Sequence, residues 1–267
     1  MKVLDGKIVA NMIYDKIKGE EKKDYYKTLA IVTVGEDEAS KVYVNTKKKK
    51  AKECGFSSMH IQLSEDTSYC QLEAVIESLN ALQHVKGIIV QKPLPKGLNL
   101  FDEEIDKLID PSKDIDGFNP VSPFVACTPK GIITLLDSYN VQYHGKNVVI
   151  AGRSKIVAQP LAKLFMDRNC TVTMIHSKTD TETVRTLIKN CDVFVSAIGK
   201  AEHWTEDFFE CSEKKLALVD VGINRTENGL VGDVSKDSFK HFEYYTPVPG
   251  GVGVMTVASL IENLNQA

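Results

Sequence analysis

The chain has 267 residues, of which 43% are hydrophobic and 26% charged, and its formal net charge is −3. This is an ordinary globular composition, long enough for one large or two medium domains, and it suggests neither a nucleic-acid partner nor a membrane surface. No apolar run approaches the roughly 18 residues of a membrane span. The six cysteines include no C-x-x-C pair, so we expect reduced thiols, no metal site and a cytoplasmic location.

Helices and strands alternate through the first half of the chain. The spacing of apolar residues predicts helices over 4–18, 41–53 and 69–82, and strands over 28–35, 58–63 and 85–90. Gly55 stands where a glycine often ends a helix. Strands that alternate with helices are typical of βαβ units. This half is therefore predicted to form one α/β layer with a parallel sheet of at least three strands.

A proline-rich stretch between Pro93 and Pro129 holds six of the nine prolines and is predicted to be the boundary between two domains. Beyond it we predict strands over 147–151, 171–176, 191–198 and 216–223, then a glycine-rich loop and a last helix within 245–263. The predicted fold class is thus α/β. Ligands of such sheets bind beyond the carboxyl ends of the strands, so we expect the sites of both domains to face one cleft.

The stretch from Asn147 to Pro160 reads as a buried strand, a turn at Gly152 and a helix. A helix N-terminus behind a glycine turn presents backbone N–H groups and a positive dipole end to a phosphate. The usual three-glycine fingerprint is incomplete, since Ser154 and Ala158 stand at the later positions. An ordinary βα turn therefore explains these residues equally well when they are taken alone.

The next strand ends in Ser177 and Lys178, where a fold that binds NAD usually carries an acid for the ribose. A hydroxyl and a lysine, with Arg153 from the first loop, would instead bind a 2′-phosphate. Each charge-assisted hydrogen bond is worth roughly 1.5–3 kcal/mol, so two favour NADP by about a hundredfold or more. The alternative is that these cations are solvated surface charges.

Tyr43 and Lys47 are four residues apart near the start of the second predicted helix, so they share one face. A partly buried lysine at that point is a candidate proton donor or acceptor. The alternative is strong, because Lys47 to Lys50 form a charge run and such runs usually lie on a solvated face.

Three further segments carry polar groups that suit a heterocyclic substrate. Gln91 ends a predicted strand with a carboxamide that both donates and accepts. Asp114 and Asp116 alternate on an extended segment and so point opposite ways; one could hold a ring edge by two hydrogen bonds, or both could form turns. The loop at 246–256 contains three closely spaced glycines, either for a flat ligand or for a tight turn.

Taken together, nine segments in order resemble the bifunctional methylenetetrahydrofolate dehydrogenase/cyclohydrolase family. They are YVNTKKKKA, GIIVQKPLP, KDIDGF, CTPKG, GRSKIVAQP, HSKT, DVGIN, VGDV and TPVPGGVGVMT. The resemblance covers nearly the whole chain and implies NADP-linked oxidation of 5,10-methylenetetrahydrofolate to the methenyl form. It also implies hydrolysis of that cation to 10-formyltetrahydrofolate, tetrahydrofolate derivatives as ligands, and a homodimer formed through the second domain.

The resemblance also assigns roles and domain limits. It implies that Lys47 is the catalytic lysine, Tyr43 stacks on the folate, Gln91 tunes the lysine, and Asp116 holds the pterin ring. The folate-side loop would supply Pro249, Gly250 and Gly253, and the coenzyme contacts would be Gly152, Arg153, Ser154, Ser177 and Ile223. The folate domain would span 1–118, with the C-terminal helix at about 250–267 packing back on it. The Rossmann-like NADP domain would span 119–249.

The chain departs from the family pattern in a few places. Lys92 replaces the usual leucine beside Gln91, where a cation could attract a folate glutamate tail or weaken packing. The connection from Phe118 to Cys127 is short, and Ala158 and Val254 replace a usual glycine and proline. The alternatives are a dehydrogenase that has lost the hydrolysis, an NADP dehydrogenase of a small hydroxy or amino acid, and a coenzyme-binding protein without enzyme activity.

Overall fold

The computed structural model describes residues 1–20, 27–210, 215–227 and 229–267. It divides into two compact units. We call Met12–Cys127 with Val257–Ala267 the first unit, and Met1–Asn11 with Thr128–Thr256 the second unit. This division differs from the predicted one at the N-terminus, because Lys2 and Val3 pair with Tyr244 and Tyr245 in the second unit. It also differs at 118, since the first unit continues to Cys127.

The elements follow one another in a largely alternating order. The strands are β1 Lys2–Val3, β2 Thr28–Val34, β3 Ser57–Leu63, β4 Val85–Val90, β5 Asn147–Ala151, β6 Thr171–Ile175, β7 Val193–Ser196, β8 Lys215–Asp220, β9 Asn224–Thr226, β10 Gly229–Val231 and β11 Phe242–Tyr245. The α-helices are α1 Gly6–Gly19, α2 Glu38–Glu53, α3 Tyr69–Ala81, α4 Asp102–Leu108, α5 Cys127–Ser138, α6 Ala158–Met166, α7 Thr181–Asn190 and α8 Val252–Gln266. Short 3-10 helices lie at 99–101, 111–113, 206–208 and 236–241.

The first unit is built on a parallel sheet with the strand order β3-β2-β4. All seven residues of β2 are buried, as expected for the central strand of a sheet covered on both faces. Helix α3 packs Leu72, Ile76 and Leu79 into the core of this unit. Gly55 has a φ of +78° after the end of α2, a conformation that favours glycine, so the predicted helix end is confirmed.

The second unit is built on a six-stranded parallel sheet with the order β1-β11-β8-β7-β5-β6. Strand β5 has β6 on one side and β7 on the other, so the order of connection reverses there. The crevice beyond the carboxyl ends of β5 and β7 is the position at which such sheets bind ligands. The predicted Rossmann-like parallel sheet is therefore confirmed.

The sequence missed the elements whose apolar patterns are short or lie among prolines. Strand β1 has two residues, the β9–β10 hairpin three on each side, and α4 lies inside the proline-rich stretch. Helix α5 begins at Cys127, before the predicted start of the second domain, and Pro129 sits in its first turn, where a missing N–H costs little. In the described part of the chain, no helix has the length and apolar character required to cross a membrane.

Candidate functional site

Helix α2 carries the lysine run and determines which of its members is buried. The helix begins at Asp37, whose carboxylate accepts a hydrogen bond of 2.6 Å from the Ser40 amide, a typical N-cap. Lys47 is only 7% exposed, whereas Lys49 is fully on the exposed face. The run is therefore not a uniformly solvated face, and Lys47 is its buried member.

The ammonium of Lys47 donates a hydrogen bond of 3.0 Å to Oε1 of Gln91. Gln91 follows β4, and its backbone amide extends the sheet by a 2.8 Å bond to the Val32 carbonyl. Its Nε2 donates to the Lys92 carbonyl at 2.7 Å. Because an ammonium can only donate, this second bond presents the accepting end of the amide to Lys47. The structure thus joins two of the predicted site residues.

Tyr43 lies one helical turn before Lys47 and is half-buried. Burial raises the pKa of its phenol above the ordinary value, so the hydroxyl keeps its proton at neutral pH. The ring and a hydrogen-bonding hydroxyl therefore stand on the same helix face as the buried lysine.

Asp114 and Asp116 have different surroundings. Asp114 is almost fully buried, accepts a 2.8 Å bond from the Asn119 amide, and has a pKa that burial raises to about 6. Asp116 is only half-buried, and its carbonyl accepts a 3.2 Å bond from the Cys127 amide. Asp114 thus shapes the turn, while Asp116 is the acid at the surface of the unit.

A side chain of helix α8 forms hydrogen bonds to the backbone on both sides of the short connection after Phe118. The buried Asn263 donates its side-chain amide to the Ile115 carbonyl at 2.9 Å and to the Val125 carbonyl at 3.3 Å. Gly117 has a φ of +73°, and a Cβ there would lie 2.6 Å from the Ala126 amide nitrogen. Hydrogen bonds from Asn263 and close backbone packing at Gly117 therefore hold the segment that carries Asp116 in one position.

Lys92 forms ion pairs with two acidic residues of helix α4. Its ammonium lies 2.9 Å from Oδ2 of Asp106 and 3.7 Å from Oδ1 of Asp102, and 5.5 Å from the centre of the Phe118 ring. Its side chain is only 15% exposed. Lys92, for which the sequence left open either attraction of a folate glutamate tail or weaker packing, is thus ion-paired within the first unit. The sequence could not indicate this pairing because α4 was not predicted.

A groove lies at the carboxyl edge of the first unit's sheet, next to Gln91. Its lining includes Thr33, Ser40, Val44 and Gln91, and it also includes His60, whose ring nitrogen is 2.9 Å from the Thr33 hydroxyl. Burial lowers the pKa of His60, so its ring is neutral at physiological pH, whereas Asp37 and Lys41 bring charges to the same lining. Gln91, the hydrogen-bond partner of Lys47, thus lies in a concave lining that also carries hydroxyl and imidazole groups.

In the second unit, Gly152 follows β5 with a φ of +131°. A Cβ at this position would lie 2.7 Å from the Ala197 carbonyl oxygen, on the loop after β7. The hydroxyl of Ser154 then accepts a 3.2 Å hydrogen bond from the amide of Ala158, the first residue of α6. Glycine is therefore required here by the close approach of two loops as well as by the turn, and Arg153 stands exposed between these residues.

The remaining coenzyme candidates lie at the same edge of this sheet. Ser177 and Lys178 are exposed just beyond β6, and Ile223 lies beyond β8 with 43% of its surface exposed. The ends of β5, β6 and β8 thus bring Gly152, Ser177 and Ile223 to one edge of one parallel sheet. A coenzyme is expected at this edge on general grounds.

Close backbone contacts within the second unit explain the tight glycine-rich loop before α8. Gly250 has a φ of +108°, and its carbonyl accepts a 2.9 Å bond from the Gly6 amide. A Cβ on Gly251 would lie 2.6 Å from the Pro247 carbonyl oxygen. Pro249 precedes this turn and Gly253 lies in the first turn of α8. The turn itself therefore accounts for two of the three glycines.

Sequence reasoning missed two buried carboxylates, Asp220 at the end of β8 and Asp233 after β10. Asp220 accepts from the amides of Gly222, Asp233 and Val234 at 2.9–3.1 Å, and burial raises its pKa to about 7. In the sequence, the one feature that could have indicated these buried acids is that a glycine lies within two residues of each. A Cβ on Gly222 or Gly232 would come within about 2 Å of a carboxylate oxygen.

Two family models together match almost the whole chain. Residues 4–116 match the catalytic domain of tetrahydrofolate dehydrogenase/cyclohydrolase, and residues 126–267 match its NAD(P)-binding domain. A bifunctional protein FolD from Campylobacter concisus is 42% identical over 98% of this chain and 96% of its own.

Solved structures agree with these matches. The bifunctional dehydrogenase/cyclohydrolase FolD of Campylobacter jejuni has a TM-score of 0.93 at 37% identity, covering 100% of this chain and 98% of its own. The Trypanosoma brucei enzyme, solved with NADP and an inhibitor, has a TM-score of 0.90 at 31% identity, covering 98% and 95%. Both similarities extend over both units of the fold.

Proposed function

The chain belongs to the tetrahydrofolate dehydrogenase/cyclohydrolase family, and we propose that Lys47 moves the protons of its hydrolysis reaction. The protein oxidises 5,10-methylenetetrahydrofolate with NADP and hydrolyses the methenyl product to 10-formyltetrahydrofolate. The observation that carries this assignment is the burial of Lys47 against Gln91 at 3.0 Å. A buried amine beside an amide suits proton transfer in a site that must also bind a polar heterocycle.

The oxidation needs orientation more than acid–base chemistry. The substrate's methylene carbon loses a hydride, and its two neighbouring nitrogens stabilise the cation that remains. NADP accepts the hydride when it is bound. The chain's own contribution is to hold the folate: Tyr43 offers its ring, and Gln91 and Asp116 offer hydrogen-bonding groups to the pterin. On the family pattern, Pro249, Gly250 and Gly253 supply further folate contacts.

The hydrolysis needs a group that moves protons. Water adds to the methenyl carbon, one C–N bond breaks, and the water's protons are distributed between the ring nitrogen and solvent. As the neutral amine, Lys47 can take a proton from the attacking water, and as the resulting ammonium it can give that proton to the departing nitrogen. Gln91 holds the lysine through one of its donors, which leaves the others for substrate and water. A positioned group of this kind contributes typically 10² to 10⁴-fold.

The residues at the carboxyl edge of the second unit's sheet fit NADP. Gly152 follows β5 and has no side chain, and the hydroxyl of Ser154 accepts from the Ala158 amide at the start of α6. Arg153 and Ser177 are exposed, with Lys178 beside them and no acid at the tip of β6. This donor set suits a 2′-phosphate, and Ile223 offers an apolar surface to a coenzyme ring.

The proposal extends to domains, assembly and location. We assign folate chemistry to residues 1–118 with the C-terminal helix, and NADP binding to 119–249. The family pattern supports a homodimer formed through the NADP domain, which light scattering of the purified protein would test. A cytoplasmic location is part of the proposal and rests on the spacing of the cysteines in the sequence.

A single assay tests the function. Purified protein receives methylenetetrahydrofolate with NADP, or with NAD plus Mg²⁺ and phosphate, and reduced coenzyme and methenyl product are followed separately. The expected result is reduced coenzyme from NADP with no build-up of the methenyl form. Build-up would instead indicate a dehydrogenase without hydrolysis. An absence of reduced coenzyme with either nucleotide would overturn the proposal.

A further inference from the structure

The side-chain carboxylate of Asp233 accepts many hydrogen bonds at the carboxyl edge of the second unit's sheet. It is fully buried and accepts five hydrogen bonds. Oδ2 accepts from the Ser196 hydroxyl at 2.8 Å, the Ile198 amide at 2.9 Å and the Gly199 amide at 3.2 Å, and Oδ1 accepts from the Lys200 amide and the Asn224 side chain at 2.9 and 3.0 Å. Both oxygens of this one carboxyl group thus accept hydrogen bonds from several donors at once.

These bonds join two separate loops. Three consecutive amides belong to the loop after β7, residues 198–200, and Asn224 follows the turn after β8. Gly222, in that turn, packs so closely that a Cβ would lie 2.0 Å from Oδ1 of Asp233. Asp233 thus fastens the loops beyond two neighbouring strands to one another.

Both loops adjoin the proposed coenzyme contacts. The loop after β7 begins at Ala197, whose carbonyl oxygen leaves no room for a Cβ on Gly152. Ile223 lies between Gly222 and Asn224, the two residues of its turn that contact Asp233. The two loops that the carboxylate joins therefore adjoin Gly152 on one side and contain Ile223 on the other.

We propose that Asp233 is a positioning residue for NADP: its buried carboxylate holds the loops after β7 and β8 as one rigid wall of the coenzyme crevice. This inference rests on the proposed assignment of Gly152 and Ile223 to the coenzyme. An amide in place of the carboxylate keeps the shape but turns one acceptor into a donor that faces backbone N–H groups. The loops after β7 and β8 should then become more mobile, while the parallel sheet stays folded.

The chain carries a built-in reporter of this wall. Its single tryptophan, Trp204, is buried and donates its indole N–H to the Ser196 hydroxyl at 2.9 Å, and that hydroxyl donates to Asp233. A change at the carboxylate therefore reaches the indole through one intervening hydroxyl. The intrinsic fluorescence of the protein reads out this arrangement directly.

The test is the Asp233→Asn variant, studied for NADP binding, tryptophan emission and hydrolysis of methenyltetrahydrofolate without coenzyme. Loss of a charged hydrogen bond corresponds to about tenfold or more in affinity. We expect the NADP dissociation constant to rise by about that factor and the tryptophan emission to shift. Hydrolysis should stay within about twofold of the wild type, since Lys47 and Gln91 lie in the other unit.

A matched control is available in the same sheet. Asp192 accepts a 2.9 Å bond from the Asn147 amide, but it precedes β7 and so lies at the opposite edge from the coenzyme contacts. Asp192→Asn should leave NADP binding and tryptophan emission unchanged. Ser196→Ala removes one of the five bonds and the indole's acceptor, so it should shift the emission and weaken NADP binding less than Asp233→Asn does.

The outcomes separate this inference from the proposed function. If wild-type protein neither binds nor reduces NADP, the proposed function fails. If the wild type is active and Asp233→Asn binds NADP normally, the positioning role is overturned. It is also overturned if hydrolysis falls as much as NADP binding, because the substitution then damages the whole fold. Should Asp233→Asn not fold, Ser196→Ala must still weaken NADP binding more than Asp192→Asn for the inference to stand.

Discussion

The two units present their chemistry in different ways. In the first unit, the proposed function rests on one buried side-chain pair, Lys47 and Gln91, at the edge of a three-stranded sheet. In the second unit, the proposed coenzyme binding rests mainly on backbone geometry, because close loop contacts and a buried carboxylate shape Gly152 and its neighbours. One substitution can remove the side chain on which the first unit's activity rests. In the second unit many contacts contribute to coenzyme binding, so each substitution should weaken it only in part.

The largest expected effect comes from Lys47→Ala. Without the proton-moving group, the initial rate of methenyltetrahydrofolate hydrolysis should fall by about 10² to 10⁴-fold. The measurement is the disappearance of methenyl substrate under initial-rate conditions. Lys49→Ala, an exposed neighbour in the same run, is the control and should hydrolyse at the wild-type rate; equal rates for both variants would refute the role of Lys47.

The next effect concerns stability in the first unit. Lys92→Leu leaves the buried Asp106 without its ion pair, which should cost about 3 kcal/mol of unfolding free energy at neutral pH. Burial already raises the pKa of Asp106, and Lys92 opposes that rise. The measurement is urea unfolding at pH 8 and pH 5.

The pH dependence of that variant has a definite sign. Because the folded pKa of Asp106 lies above the unfolded one, the folded state binds more protons between the two values, and stability falls as pH rises through that window. Removing Lys92 should widen the window, so the deficit should shrink at pH 5. The double substitution Lys92→Leu with Asp106→Leu should recover most of the loss; a deficit independent of pH and undiminished in the double variant would contradict the ion-pair account.

A smaller effect is expected from Arg153→Ala in the second unit. Loss of one charged hydrogen bond of roughly 1.5–3 kcal/mol should raise the apparent KM for NADP by about 10- to 100-fold and leave hydrolysis unchanged. The measurement is the KM for NADP and for NAD in parallel. Lys163→Ala, which removes an exposed cation paired with Asp167 on α6, is the control, and a similar KM rise in it would indicate a general charge effect.

The smallest effect is expected from Tyr43→Phe. The ring remains and only a neutral hydroxyl is lost, so the KM for the folate should rise by no more than about tenfold, the equivalent of one neutral hydrogen bond of roughly 0.5–1.5 kcal/mol. Tyr43→Ala removes the ring as well and should raise the KM further. Equal KM values for the two variants would show that the ring does not contact the substrate.

The sheets were predictable because buried parallel strands are continuous apolar runs, and β2, β4 and β5 follow that pattern closely. The same reasoning failed for α4, because its seven residues lie among prolines and begin with three acids. Without α4, the sequence offered no partner for Lys92.

The site was less predictable than the fold, since spacing alone does not distinguish Lys47 from the lysines after it. What distinguishes it is the position of Gln91, which lies 44 residues away and reaches it through the pairing of β4 with β2. Asp233 left still less trace, because most of its donors are backbone amides that every residue possesses. Only the adjacent glycines hinted at crowding.

One progress curve tests the division between the two units most directly. Lys47→Ala and Arg153→Ala are each given methylenetetrahydrofolate and saturating NADP, and reduced coenzyme and methenyl product are recorded together. Lys47→Ala should accumulate methenyl product nearly in step with reduced coenzyme, and Arg153→Ala should accumulate none. If Lys47→Ala forms reduced coenzyme with no methenyl product left behind, hydrolysis does not depend on the buried lysine and the account is wrong.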